Sequence, residues 1–300
     1  MTLSELHLLL TYECNLECDH CFVWGGPKQT GTMSLKNVLK VLEQAKSLDT
    51  LQWIYLEGGE PFLYYPILLK IVRISAELNF KVGVVTNGYW ATDLEDAEEW
   101  MKPLIGLIQD FSISSDLYHW TEKFSQQAIK AKRVAELLDI PLSVLTISQP
   151  EEICTESPVG KIKEGESTVM YRGRAAEKLA PKAAQHHWES FTQCPFEDLQ
   201  NPERVHLEPS GSLQICQGIS LGNVFETSLV QICETYNPVN HPIIGPILEG
   251  GPVAMVRRYK LPHEEYYADA CHLCYRARES LRTEFPDILL PDQMYGVLEF

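Results

Sequence analysis

The chain has 300 residues, 45% of them hydrophobic, enough for a substantial core and incompatible with intrinsic disorder or a short disulfide scaffold. Acidic residues outnumber basic ones by 41 to 25, and the net charge of -16 argues against nucleic acid as a partner. The N-terminus has no basic leader, and no apolar run reaches the ~18 residues of a membrane span, so a cytoplasmic protein with no membrane partner is expected.

From the N-terminus onward, apolar β-branched runs alternate with stretches of helical period. Strands are expected at 7–12, 53–57, 81–86, 109–115, 142–148 and 167–171, with helices near 34–48, 65–79, 93–104 and 121–139. Ser34 and Asp93 are expected N-caps, and Pro141 stops the last of these helices. Repeated strand–helix–strand units place the chain in the α/β class, as a parallel sheet with right-handed crossovers. Six strands suit a partial (β/α)6 TIM-like barrel, whose reactive residues gather at the C-terminal strand ends. After Arg174 the rhythm stops. A hairpin is expected over 205–216, turning at Pro209, Ser210 and Gly211, followed by helices near 226–236, 252–260 and 264–283. A boundary near 185 divides a barrel (1–185) from a small C-terminal domain (186–300) organised by metal.

Nine cysteines, an odd number without an export signal, favour metal ligation over disulfides. Cys14, Cys18 and Cys21 form C-x3-C-x2-C, and Cys271 and Cys274 form C-x2-C. Three thiolates are one short of a closed structural zinc site, whereas an iron–sulfur cube held by three cysteines keeps one iron open. A Cys3His zinc site, with His7 and His20 the only imidazoles nearby, or unrelated cysteines are the alternatives.

Each unusual short motif of the first half follows an expected strand. Cys14–Cys21 follows the first, Gly58-Gly59-Glu60-Pro61 the second, Thr86-Asn87-Gly88 the third and Ser114-Ser115-Asp116 the fourth. In order and placement they resemble the radical S-adenosylmethionine (SAM) superfamily over residues 6–175. The resemblance implies a [4Fe-4S] cluster on Cys14, Cys18 and Cys21 with SAM at its open iron. It implies that Gly58, Gly59, Glu60 and Pro61 receive the methionyl amino group, that Asn87 joins this cofactor mouth, that Ser114 and Asp116 meet ribose or methionine, and that His20 lies near adenine. Glycines at 58 and 59 allow close backbone approach, and Glu60 can accept hydrogen bonds from an ammonium. Tyr118, His119 and Trp120 either face substrate or pack, and Glu57 either lines the barrel or accepts a strand-end hydrogen bond.

Cys194, Cys216, Cys271 and Cys274, with Gly211 ahead of Cys216, resemble the SPASM/twitch-like auxiliary domain of related enzymes. This implies a second [4Fe-4S] cluster, with structural zinc as the alternative. Cys154 and Cys233 read as buried inert thiols; resemblance to peptide epimerases adds Cys233 as a hydrogen-atom donor. Tyr171-Arg172-Gly173-Arg174 resembles a Gly-Arg-Ala segment, in which Arg172 or Arg174 pairs with a carboxylate of SAM or substrate, or forms a plain salt bridge. The implied activity is reductive cleavage of SAM to a 5′-deoxyadenosyl radical, then hydrogen abstraction from an unactivated carbon of a peptide or protein residue, or alternatively of a small metabolite. A flavodoxin- or ferredoxin-type reductant is the implied partner. A non-enzymatic iron–sulfur electron carrier or zinc-braced binding protein is the rival class.

Overall fold

The computed structural model describes residues 1–122, 124–150 and 167–297. Cys154 lies outside the described residues. The centre of the sheet is β1 (Glu5–Thr11), whose alternation decides its two faces. Leu6, Leu8 and Leu10 enter one core, and Leu9 enters another on the opposite face. Outward from β1 run β2 (Trp53–Gly58), β3 (Lys81–Thr86), β4 (Asp110–Ser114) and β5 (Leu142–Leu145), all parallel.

The crossover helices α1 (Leu35–Ala45), α2 (Tyr65–Glu77), α3 (Leu94–Met101) and α4 (Gln126–Leu137) cover one face. In α1 the buried Val38, Val41, Leu42 and Ala45 form a single helical stripe. Ser34 and Asp93 cap α1 and α3 as expected, accepting from the Asn37 and Asp96 amides.

The expected sixth strand is a correction. Residues 167–171 contribute one parallel bridge, Ile147 to Ser167, and then leave the ladder. Val169 and Tyr171 are drawn instead into a small separate core with the short helix α5 (Arg174–Lys178).

Beyond residue 185, the dipeptide strand β6 (His186–His187) pairs away from the main sheet. The expected hairpin forms as β7 (Arg204–Leu207) and β8 (Ser212–Cys216), and a further strand, β9 (Ile219–Asn223), follows. β7 docks parallel to the free edge of β1, so one eight-stranded sheet runs β5-β4-β3-β2-β1-β7-β8-β9. The sheet is open: no closed barrel forms among the described residues. Helix α6 (Leu229–Thr235) packs beside α1, and α7 (Ile244–Tyr259) with α8 (Ala270–Leu281) builds the second core on the other face. Between them, β10 (Tyr266–Tyr267) is the antiparallel partner of β6. No helix among the described residues is long and apolar enough to cross a membrane.

Candidate functional site

The C-terminal ends of β1 to β5 open into a cavity of about 260 Å³. Cys14, Cys18, Cys21, His20, Gly58, Gly59, Asn87, Ser114 and Asp116 all line it, together with Glu57 and His119. Four separate strand-end motifs therefore meet in one mouth, as parallel α/β topology requires of residues following consecutive strands.

Backbone hydrogen bonds fix the loops against one another. The Gly59 amide donates to the Thr11 carbonyl at 2.6 Å and the Glu60 amide to the Glu13 carbonyl at 2.9 Å. A Cβ at Gly58 would lie 2.5 Å from the Thr11 oxygen, and one at Gly59 would lie 2.1 Å from that of Glu13. The glycines are needed here because the second loop lies directly on the chain entering Cys14, not only for approach to a ligand. Gly173, at φ 59, does the same from the far side: its Cβ would lie 2.6 Å from Phe22 Cα. Arg174 then donates to the carbonyls of Cys18 and Gly25, both at 2.8 Å.

Three assignments are corrected by this geometry. Glu60 is fully buried and does not line the cavity; its carboxylate accepts from the Phe62 amide, the Thr86 hydroxyl and the Asn87 amide. Burial pushes its pKa up to about 7 against those three donors, and it ties the second loop to the third. Pro61, equally buried, starts a short 3-10 turn behind it. Arg172 and Arg174 do not open onto the cavity: Arg174 braces the cysteine loop, and Arg172 forms the plain salt bridge, to Glu197 at 3.3 Å. Cys233 lies on α6 in the core against the helical face, and its own carbonyl accepts from the Met1 ammonium at 2.7 Å. It is at the opposite end of β1 from Cys14, so it cannot quench a radical in the mouth, and burial pushes its thiol up to about 11.

The remaining cavity residues are held from behind. Asp116 accepts from the amides of Tyr118 and His119 and pairs with His119 Nδ1 at 2.8 Å. Burial opposes its ionisation, but these partners outweigh burial and hold the carboxyl below its ordinary range. His20 lies tilted against Tyr118 at 4.8 Å, and burial lowers its pKa to about 3, so the ring is neutral. Burial raises the Cys14 thiol to about 12 and lifts Cys18 further. Such thiols ionise only when a bound cation compensates them. Amides already point at the sulfurs, from Leu16 to Cys14 at 3.4 Å and from Gly25 to Cys21 at 3.2 Å.

Cys194, Cys216, Cys271 and Cys274 line one second cavity between β8, α7 and α8. Two buried arginines face it. Arg172 donates to Cys216 Sγ at 3.0 Å, and Arg278 lies beside Cys274. Burial opposes the charge on each, but Cys216, Cys271 and Glu197 around Arg172, and Tyr295, Cys274 and Cys216 around Arg278, push both pKa values up, and the Nε of each has no partner. Four thiolates on a divalent cluster core or on zinc leave a double negative charge, which is what two buried guanidinium groups call for.

Comparison with known proteins agrees with this arrangement. The sequence profile of the radical SAM superfamily matches residues 8–140. Over those residues the chain is similar to the radical SAM superfamily. Members use a [4Fe-4S] cluster and SAM. The putative peptide biosynthesis protein YydG of Bacillus subtilis is 28% identical over 111 residues, covering 37% of this chain and 35% of the relative. An S-adenosylmethionine-dependent nucleotide dehydratase of Fibrobacter sp. is 30% identical over 116 residues, covering 36% and 32%. The matched stretch thus spans about a third of the length of these curated relatives. Among solved structures, BtrN in complex with AdoMet and 2-DOIA superposes with a TM-score of 0.58 at 17% identity, covering 92% of each chain, a likeness of fold.

Proposed function

We propose that this chain is a radical SAM enzyme in which Cys14, Cys18 and Cys21 hold the cluster and the cavity above them receives SAM and substrate. The observation that carries this reading is the meeting of three cysteines with the loops after β2, β3 and β4 around one opening. When bound, the cluster supplies the electron that cleaves SAM to its 5′-deoxyadenosyl radical. The chain's own task is alignment and exclusion. Arg174, Gly58 and Gly59 fix the cysteine loop; Ser114, Asp116 and Asn87 offer polar atoms to the methionyl and ribose groups; His20, uncharged, offers a flat face to adenine.

The quartet in the C-terminal domain is proposed to hold an auxiliary [4Fe-4S] cluster, with residues 186–300 as the domain built around it. The two buried arginines beside the four sulfurs support an anionic metal centre there, and the resemblance to the SPASM/twitch-like domain favours a cluster, with structural zinc as the alternative. The proposed substrate is a peptide or protein residue, supported by YydG, and the proposed reductant is a flavodoxin- or ferredoxin-type protein. A small metabolite is the second reading, supported by the nucleotide dehydratase.

The test is anaerobic reconstitution, reduction and incubation with SAM, with 5′-deoxyadenosine sought by mass spectrometry. Product is expected from the native chain and none from a Cys14→Ala, Cys18→Ala, Cys21→Ala variant, which keeps part of its iron. No product from an intact reduced cluster, or loss of all iron from a still-folded variant, contradicts the reading.

A further inference from the structure

On the face of the sheet opposite the crossover helices, three residues from adjacent strands converge: His7 of β1, Glu57 of β2 and His206 of β7. β1 lies between the other two strands, with His7 in register with His206 and Glu57 beside Leu9. Their strand neighbours Leu6, Leu8, Leu56, Val205 and Leu207 all point into the core on the helical side. Period-2 alternation therefore sends the three polar side chains to one side.

His7 Nδ1 lies 3.4 Å from one Glu57 oxygen and His206 Nε2 lies 3.4 Å from the other. Both separations match the edge of a tetrahedral site, where nitrogen and oxygen ligands bonded at about 2.1 Å lie about 3.4 Å apart. One ligand atom from each residue falls within 4.8 Å of the others. His7 Nδ1 and Glu57 Oε1, both buried, have no hydrogen-bond partner, and the His206 side chain is 8% exposed.

The surroundings also suit a metal. His7 turns its other nitrogen toward a Glu5 carboxylate oxygen at 3.4 Å, and its ring stacks on Tyr55 at 4.5 Å with planes 13° apart. A carboxylate behind a ligating imidazole fixes its tautomer and orientation.

We propose that His7, Glu57 and His206 form a divalent transition-metal site of two imidazoles and one carboxylate, separate from both cysteine sets. Such a donor set suits zinc or ferrous iron rather than calcium or magnesium. Three protein ligands leave one position for water or a substrate oxygen. Glu57 also lines the cavity, which places the site under whatever occupies it.

The holo-protein with its iron–sulfur complement, stripped of loose metal by a chelator, is titrated anaerobically with Zn2+ alone, and zinc and iron are counted after gel filtration. One further zinc per chain is expected, lost in His7→Ala and His206→Ala with iron unchanged. Glu57→Gln, nearly the same in volume, is the second variant should the alanines disturb the fold, and it too is expected to lose the zinc. Co2+ in place of zinc is expected to give d–d bands without thiolate charge transfer. No added zinc in the native chain, the outcome for a simple histidine–carboxylate ion pair, overturns the proposal. So does equal retention by folded variants, or a thiolate band from cobalt. The readout is metal content, so its failure is distinct from failure to cleave SAM.

Discussion

Glu60 illustrates how a side chain in a cofactor motif acts through its neighbours. Its carboxylate spends its lone pairs on the Phe62 amide, the Thr86 hydroxyl and the Asn87 amide, while the backbone around it faces the Cys14 loop. Glu60→Gln keeps the volume but turns a donor toward donors, and is expected to cost about 1–3 kcal/mol in denaturant unfolding. If Glu60 instead received the SAM ammonium, the variant would weaken SAM binding at unchanged stability. A second residue carries a pH dependence. His241 Nδ1 accepts from the Ile243 and Ile244 amides at the start of α7, and burial lowers its pKa to about 4. The depressed folded value means that its contribution is complete above the ordinary value of about 6.5 and is lost as pH falls through 4. His241→Asn keeps an acceptor that does not titrate, so it is expected to gain on the native chain in urea unfolding as pH drops from 7 to 4, by about 3 kcal/mol. A constant difference across that range contradicts the assignment.

At the scale of elements, α7 is broken at Gly250, Gly251 and Pro252, with Gly251 at φ 67. A Cβ there would lie 2.3 Å from the Gln193 amide nitrogen, so the break is where the segment leading into Cys194 lies on the helix. Gly251→Ala combines left-handed strain with a backbone clash and is expected to lower auxiliary iron while leaving SAM cleavage by the first cluster measurable. Equal loss from both sites would contradict separate cluster domains. The expected elements were legible where local chemistry decides them: the α1 and α3 caps, the stripe of α1, and the hairpin at Pro209–Gly211. Residues 167–171 have the apolar alternation of a strand, but Val169 and Tyr171 find their burial against α5, a long-range choice that a local window does not contain.

Across the whole molecule, the meeting of the N-terminal cysteine trio with the strand-end loops was legible because its spacing and strand-end position are written locally, whereas the fate of isolated polar residues was not. His7, Glu57 and His206 are separated by long stretches of chain and become a group only when β7 docks on β1. Arg172 and Arg174 are neighbours in sequence yet serve different sites, one facing Cys216 and the other holding the Cys18 loop. Cys233, which the resemblance offers as a hydrogen-atom donor, is carried by α6 to the opposite end of the sheet. Contacts between the halves are polar as well as apolar: Trp24, just past the first cysteines, donates to the Tyr275 hydroxyl beside Cys274, so the two proposed clusters share one framework. In the proposed site the N-terminal trio leaves one iron free for SAM. The decisive measurement is electron–nuclear double resonance on the reduced protein with SAM labelled at its amino nitrogen. A strong coupling between the label and the cluster spin is expected, vanishing in the Cys14, Cys18, Cys21 alanine variant; an uncoupled label on an intact reduced cluster, or a fourth protein ligand at that iron, would overturn the assignment.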